Sequence, residues 1–188
     1  FQPDPFPPVS NRPDLFVADS NVGYHLWSSS RTCIRYPRNS RRLFPLVSNS
    51  DGFPSSRELG EADSRPRVLL LGDSFAMGIG VREGSRLSEV VEEIEPRWRV
   101  DNMGMSGWGL DLMVRALETF VVKARPDAVV LALYTDDFRR LTPRWAGNGY
   151  GHPKFRLVNG ALVTVPYPVQ AWWQRLRLVE VLYRTTHS

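Results

Sequence analysis

Four consecutive apolar residues, Val68-Leu69-Leu70-Leu71, run directly into Gly72-Asp73-Ser74. A half-buried strand alternates apolar and polar residues, because successive side chains point to opposite faces of a sheet. A run without polar interruption buries both faces, which is the signature of a parallel strand covered on each side. The residues that follow fit such a sheet. Residues 86 to 95 read as a helix closed by Pro96, then a short strand spans about Trp98 to Asp101. A glycine-rich loop, Asn102-Met103-Gly104-Met105-Ser106-Gly107-Trp108-Gly109, leads to a helix from about Leu110 to Ala124. Leu112, Ala116, Leu117, Phe120 and Val121 lie on one side of it. Arg125-Pro126-Asp127 breaks that helix and launches a third apolar strand, Ala128 to Leu133. Strand, helix, strand, helix, strand is the grammar of a doubly wound α/β fold with a parallel sheet.

The flanks have a different texture. Residues 1 to 65 are rich in Pro, Ser, Asn and Arg, with brief apolar alternations at Asp14-Leu15-Phe16-Val17 and Gly23-Tyr24-His25-Leu26-Trp27. They read as a loop-rich N-terminal extension with short β-strands, leaving 66–188 for the α/β domain. Downstream, Phe155-Arg156-Leu157-Val158 and Ala161-Leu162-Val163-Thr164-Val165 flank Asn159-Gly160, which predicts a β-hairpin insertion at about 154–166. Val169 to Thr185 carries Trp172, Leu176, Val179 and Tyr183 at helical spacing, where core or subunit packing ranks ahead of a membrane-surface helix.

Composition excludes several classes. No run approaches the roughly 18 to 20 apolar residues needed to cross a bilayer. The single cysteine, Cys33, rules out an internal disulfide and any multi-cysteine metal site, and reads as a small buried or half-buried side chain. No metal or other cofactor is expected. The net charge of +4 is carried almost wholly by arginine, with Arg31, Arg35, Arg38, Arg41 and Arg42 crowded together. Guanidinium forks match phosphate oxygens, but no nucleic-acid motif accompanies the cluster, so a solvated face ranks first and no nucleic-acid partner is expected. Gly-x-Gly-x-x-Gly and the Walker Gly-Lys-Ser/Thr ending are both missing, which argues against a nucleotide site.

Loops at the carboxyl ends of strands in an open α/β sheet converge on one crevice. Here those ends are Gly72-Asp73-Ser74-Phe75, the Asn102 to Gly109 loop, and Tyr134-Thr135-Asp136-Asp137. A serine after a buried strand, in a turn opened by glycine, presents its hydroxyl above the sheet as a nucleophile whose tetrahedral adduct is held by backbone N–H groups. The alternative for Gly-Asp-Ser is a helix N-cap or turn.

Arg67-Val68-Leu69-Leu70-Leu71-Gly72-Asp73-Ser74-Phe75, with Gly78 and Gly80 following, resembles the first block of the SGNH/GDSL hydrolases. These are serine esterases and acyl-ester deacetylases on a flavodoxin-like, three-layer α/β/α sheet. The resemblance implies Ser74 as nucleophile, its backbone N–H being one oxyanion donor. Asn102-Met103-Gly104-Met105-Ser106-Gly107 is similar to the second block, which implies a second donor in the Gly104 N–H. A glycine there lets the backbone approach a substrate closely. Pro126-Asp127, the strand after it and Asp136-Asp137 look like the third block, and Asn49-Ser50-Asp51-Gly52-Phe53 with Arg57-Glu58 resembles a lead-in of some bacterial members. The likeness spans roughly residues 48 to 165 and implies Ser74, Gly104 and Asp136 as catalytic. Asp73 and Asp137 beside them are substrate-binding candidates, as is Trp108, which would suit stacking on a sugar face. Buried aromatic packing explains Trp108 equally well.

Two departures qualify the likeness. The third block normally has Asn where Asp136 stands, and an ionised carboxylate has no proton to donate to an oxyanion. Asp136 is then protonated in an apolar pocket, or points away, or leaves the oxyanion to Ser74 and Gly104; a metal or cationic ligand at Asp136 is a lesser alternative. The family's Asp-x-x-His is also missing, since Val22, Gly149 and Arg184 stand three residues before His25, His152 and His187. Three parallel strands are few for such a sheet, which usually has about five. The expectation is therefore a fold incomplete at its C-terminus, with the base on an additional C-terminal segment or chain. The expected function is that of a serine esterase or acylhydrolase acting on an ester or acetyl group of a small molecule or carbohydrate. The alternative is a catalytically inactive SGNH-like module that binds carbohydrate or protein. A start at Phe1 rather than Met, with the likeness to bacterial members, is compatible with an extracytoplasmic location.

Overall fold

The computed structural model describes residues 15–36, 41–141 and 154–165. The expected helix at 169–185, Arg38, His152 and His187 lie outside them. Two antiparallel hairpins come first, β1 (Phe16–Asp19) with β2 (Gly23–Leu26) and β3 (Arg31–Arg35) with β4 (Leu43–Val47). Asp19 closes the first turn, its Oδ1 accepting the N–H groups of Asn21 and Val22 at 2.7 and 2.9 Å. Buried Asn49 organises the lead-in: Oδ1 accepts from the N–H of Asp51 and Phe53 at 3.1 and 2.9 Å, and Nδ2 donates to the Arg57 carbonyl at 3.1 Å. Cys33 is exposed on β3, a correction to the buried or half-buried expectation, and Arg31, Arg35, Arg41 and Arg42 are exposed too.

The apolar run becomes β5 (Arg67–Gly72), the middle strand of a parallel sheet. It is followed by α1 (Ser74–Met77), α2 (Leu87–Ile94), β6 (Arg99–Gly104), α3 (Leu110–Ala124), β7 (Ala128–Ala132) and α4 (Thr135–Arg139). The order β6-β5-β7 makes this a mixed α/β structure with a three-stranded parallel sheet among the described residues. Leu69, Leu70 and Leu71 are all buried, so both faces of β5 are covered as an unbroken apolar run requires. β6 extends past the expected Asp101 because Asn102, Met103 and Gly104 continue the pairing with β5. Its outer edge is closed by side chains: Glu92 of α2 accepts the Val100 N–H at 2.7 Å, and Arg57 donates to the Val100 carbonyl at 3.1 Å. β7 differs, for Val129, Val130 and Leu131 are each at least 40% exposed, although a strand of this composition is expected to bury both faces.

The register is level at the carboxyl end, where Gly72 pairs with Gly104 on one side and with Ala132 on the other. One apolar cluster joins the hairpins to the sheet, packing Phe16, Tyr24, Leu26 and Phe53 with Leu71, Met103, Trp108 and Leu112. The change of composition near residue 65 therefore does not divide the core. The predicted hairpin is present as β8 (Lys154–Val158) and β9 (Ala161–Val165), turning at Asn159 and Gly160, both at positive φ. Among the described residues no helix is long and apolar enough to cross a membrane.

Candidate active site

Ser74 opens the single turn of α1 directly above the end of β5. That turn rests on the sheet because two glycines leave room for it. A Cβ on Gly104 would lie 2.3 Å from the Met77 nitrogen and 2.6 Å from the Ala76 carbonyl carbon, and one on Gly72 would lie 2.5 Å from the Ala76 Cβ. Asp73 caps the turn, its Oδ1 accepting the Phe75 N–H at 2.9 Å while its carbonyl accepts the Met77 N–H at 2.9 Å. Ser74 is half-buried. Among the described residues neither its hydroxyl nor its N–H has a hydrogen-bond partner, as the geometry of a helix start leaves the first N–H groups unpaired.

The three strand ends are tied together by Arg140, just after α4. Its Nη1 lies 3.0 Å from Asp73 Oδ2, 2.6 Å from Asp137 Oδ1 and 3.1 Å from the Trp108 carbonyl oxygen. Asp73 follows β5, Trp108 follows β6, and Asp137 sits in α4 after β7, so one guanidinium nitrogen holds a group from each loop. Asp73 and Asp137 are both buried, and Asp137 Oδ2 also accepts the Tyr134 N–H at 2.8 Å. Burial pushes the Asp137 carboxyl above the usual aspartate range, with the neighbouring Asp73 and Asp136 charges adding to it against the Tyr134 N–H and Arg140. Two carboxylates thus share one cation.

Ser74 stands where the sequence put it, but several of its expected companions have other work. Gly104 is corrected as an oxyanion donor: it is buried, and its N–H donates to Asn102 Oδ1 at 2.8 Å. Asn102 is fixed in turn by Nδ2 donating to the Ala76 carbonyl at 2.8 Å and to Ser88 Oγ at 3.2 Å. A glycine is needed at 104 for close approach, as expected, but the element that approaches is α1. Further along the same loop, Gly107 is half-buried at φ +85°, and among the described residues its N–H has no partner. The loop's glycines were visible in the sequence; which amide stays free depends on where the Asn102 side chain turns.

Asp136 Oδ1 pairs with exposed Arg139 at 3.1 Å along α4, an arrangement that favours the second of the three alternatives, a carboxylate turned away. Asp73 and Asp137 are corrected from substrate contacts to internal ones, since both carboxylates are buried and spent on backbone N–H groups and Arg140. Trp108 is corrected as a stacking platform. It is fully buried, its Nε1 donates to the Tyr24 carbonyl at 3.2 Å, and its ring packs edge-on to Tyr24 and Phe53. The exposed aromatic pair is instead Phe75 and Tyr134, with ring centroids 5.5 Å apart. Phe75 ends the first-block run without a role assigned to it there, and neither the ring of Tyr134 nor Arg140 is marked by any motif. His25 is engaged elsewhere, its Nδ1 2.6 Å from the Leu26 carbonyl and its Nε2 3.7 Å from Asp19 Oδ2. Among the described residues no group of three or more His, Cys, Asp or Glu could hold a metal ion, so Asp136 has no co-ligands there. No family model matches the chain, and no curated protein matches it.

Proposed function

We propose that this chain carries the nucleophile of an SGNH/GDSL-type serine hydrolase, which moves the acyl group of an ester first to Ser74 and then to water. The observation that carries this reading is the half-buried Ser74, without a hydrogen-bond partner among the described residues, at the carboxyl end of a buried central strand, level with the ends of both neighbours. The strand order supports it. In chain order β6-β5-β7 is second-first-third, the beginning of the flavodoxin-like order, in which ligands bind at the switch point between the first and third strands. Ser74 follows β5 and α4 follows β7, so the two flank that point.

In this reading Ser74 Oγ attacks the ester carbonyl carbon, and its proton passes to a histidine from outside the described residues. The negative charge on the carbonyl oxygen gathers at the N–H groups of Ser74 and Gly107, neither of which is spent on another partner among the described residues. Collapse expels the alcohol, and water then releases the acyl group. Arg140 acts as a positioning residue, since it keeps the three loops in one arrangement without touching the reacting atoms.

A fluorophosphonate probe applied to the full-length protein tests the proposal. Covalent labelling at Ser74 is expected, and Ser74→Ala is expected to lose it together with ester hydrolysis, by at least about 10³-fold, at an unchanged unfolding midpoint. Hydrolysis that survives in the variant excludes Ser74 as nucleophile. A folded protein that takes no label at Ser74 favours the inactive carbohydrate- or protein-binding module instead.

A further inference from the structure

Phe75 directly follows the nucleophile and is 73% exposed, and Tyr134, at the end of the neighbouring strand's loop, is 46% exposed. Their rings meet at 5.5 Å, tilted by 60°. Single exposed apolar side chains are ordinary on a protein surface; two large rings in contact beside a candidate nucleophile mark a patch. We propose that Phe75 and Tyr134 form the subsite that receives an apolar acyl chain of the ester attacked by Ser74. The proposal rests on the hydrolase reading and narrows its substrate class.

The charged groups around the patch argue for a chain rather than a sugar. A sugar on an aromatic face also needs donors and acceptors around its rim to read its hydroxyls. Here Asp73 and Asp137 are buried and bound to Arg140, and Asp136 is paired with Arg139. An acyl chain asks nothing of these groups and gains by covering the rings. The same two buried carboxylates disfavour a free fatty acid, whose own carboxylate would face them, so a neutral ester suits the site better.

The test uses the full-length protein and p-nitrophenyl esters from acetyl to octanoyl. The ratio kcat/KM is expected to rise roughly two- to fourfold for each added methylene until the rings are covered. Phe75→Ala and Tyr134→Ala are each expected to lower the octanoyl-to-acetyl ratio at least fivefold, roughly the worth of one or two buried methylenes, while Phe75→Leu retains most of it. A flat chain-length profile in a protein labelled at Ser74 overturns the subsite and leaves the hydrolase reading standing. A second measurement is independent of turnover: 1-octanol is titrated into Ser74→Ala, followed by the ring-proton resonances of Phe75 and Tyr134. Saturable shifts are expected; where they occur but no label is taken, the hydrolase reading fails and takes the acyl subsite with it, whereas shifts absent at both rings in a protein that labels overturn the subsite alone. Sedimentation of Phe75→Ala supplies the last arm, because a dimer that falls apart in this variant makes the patch an interface between copies and removes the proposal.

Discussion

The two ends of the parallel sheet are built from the same ingredients in opposite proportions. At the amino end two buried guanidiniums share one buried carboxylate: Arg99 Nε lies 2.8 Å from Asp101 Oδ1, and Arg67 Nε lies 3.2 Å from Asp101 Oδ2. At the carboxyl end two buried carboxylates, Asp73 and Asp137, share Arg140, which is partly exposed. A surplus guanidinium is easily satisfied, because its five N–H donors can be spent on backbone carbonyls. Arg99 does so with Glu58 and Glu61 at 2.8 and 3.2 Å, and Arg67 with Ala124 and Glu61. A surplus carboxylate loses its water on burial, and Asp137, whose burial outweighs the Tyr134 N–H and Arg140, holds its proton more tightly than an ordinary aspartate. The amino end is therefore held by its arginines, with Arg67 Nε and Asp101 Oδ2 left to their ion pair without a hydrogen bond, whereas the carboxyl end keeps a buried carboxyl of raised pKa beside a hydroxyl that has no partner among the described residues. The first end is structural, and the second holds the proposed nucleophile.

Replacing Arg99 should do the greatest damage to stability. Arg99→Ala leaves Asp101 buried with only the poorly placed Arg67 Nε and takes one donor from the Glu58 carbonyl, while the Glu61 carbonyl keeps Arg67, a loss of about 3–5 kcal/mol for breaking a buried ion pair. Urea unfolding at constant slope reports it, and the protein that remains folded should still label at Ser74 at the normal rate. A loss under 1 kcal/mol would abolish the distinction between the ends.

Arg140→Ala should show the reverse pattern. Its partial exposure limits the stability loss to about 1–2 kcal/mol, since water can reach what it leaves behind. Labelling at Ser74 should slow by about tenfold or more, because small misplacements at a reacting centre are costly in rate. A large loss of stability with an unchanged labelling rate would turn this end into a second structural anchor.

How far the sequence foretold these ends follows from the range of the forces involved. The apolar run at 68–71, the breaker at Arg125-Pro126-Asp127 and the Asn-Gly turn are local signals, and the strands, the long helix α3 and the hairpin follow them. The position of Ser74 is equally local, because a glycine turn after a buried strand leaves few places for the next side chain. Arg140 was illegible, since its partners are 67 and 32 residues away in Asp73 and Trp108 and no spacing rule connects them. Gly104 and Gly107 could not be ranked as donors without knowing that Asn102 turns back on the Gly104 amide. That Trp108 is covered was illegible for the same reason, since its ring is enclosed by Tyr24 and Phe53, delivered from the N-terminal hairpins and lead-in.

The acidity of Asp137 gives a finer test of the charge imbalance. Its folded pKa lies above the unfolded value, so the folded state binds the proton more tightly. The resulting stabilisation is complete below the ordinary aspartate range and is lost as pH rises through the raised value, above which the buried charge is a constant penalty. In Asp137→Asn this titration is gone. The stability of the wild type minus that of the variant should therefore fall with rising pH across this window and then level off; a difference that rises instead would mean that Arg140 outweighs burial.

The smallest effect is expected one residue away, at Asp136. Were it the oxyanion-facing member of the third block, Asp136→Asn would restore an amide donor of the kind worth roughly 2.7–4 kcal/mol in rate elsewhere. Its carboxylate instead pairs with Arg139, whose side chain is 83% exposed, and an exposed pair three residues apart on a helix contributes about 0.3–0.5 kcal/mol. The substitution should shift unfolding by no more than about 0.5 kcal/mol and leave the labelling rate at Ser74 within about twofold. Asp136 and Asp137 differ only in which way one helical step turns them, toward solvent or toward Arg140. A hundredfold gain in rate from Asp136→Asn would show that α4 rotates when substrate binds, and would move the boundary of the reactive end to include Asp136.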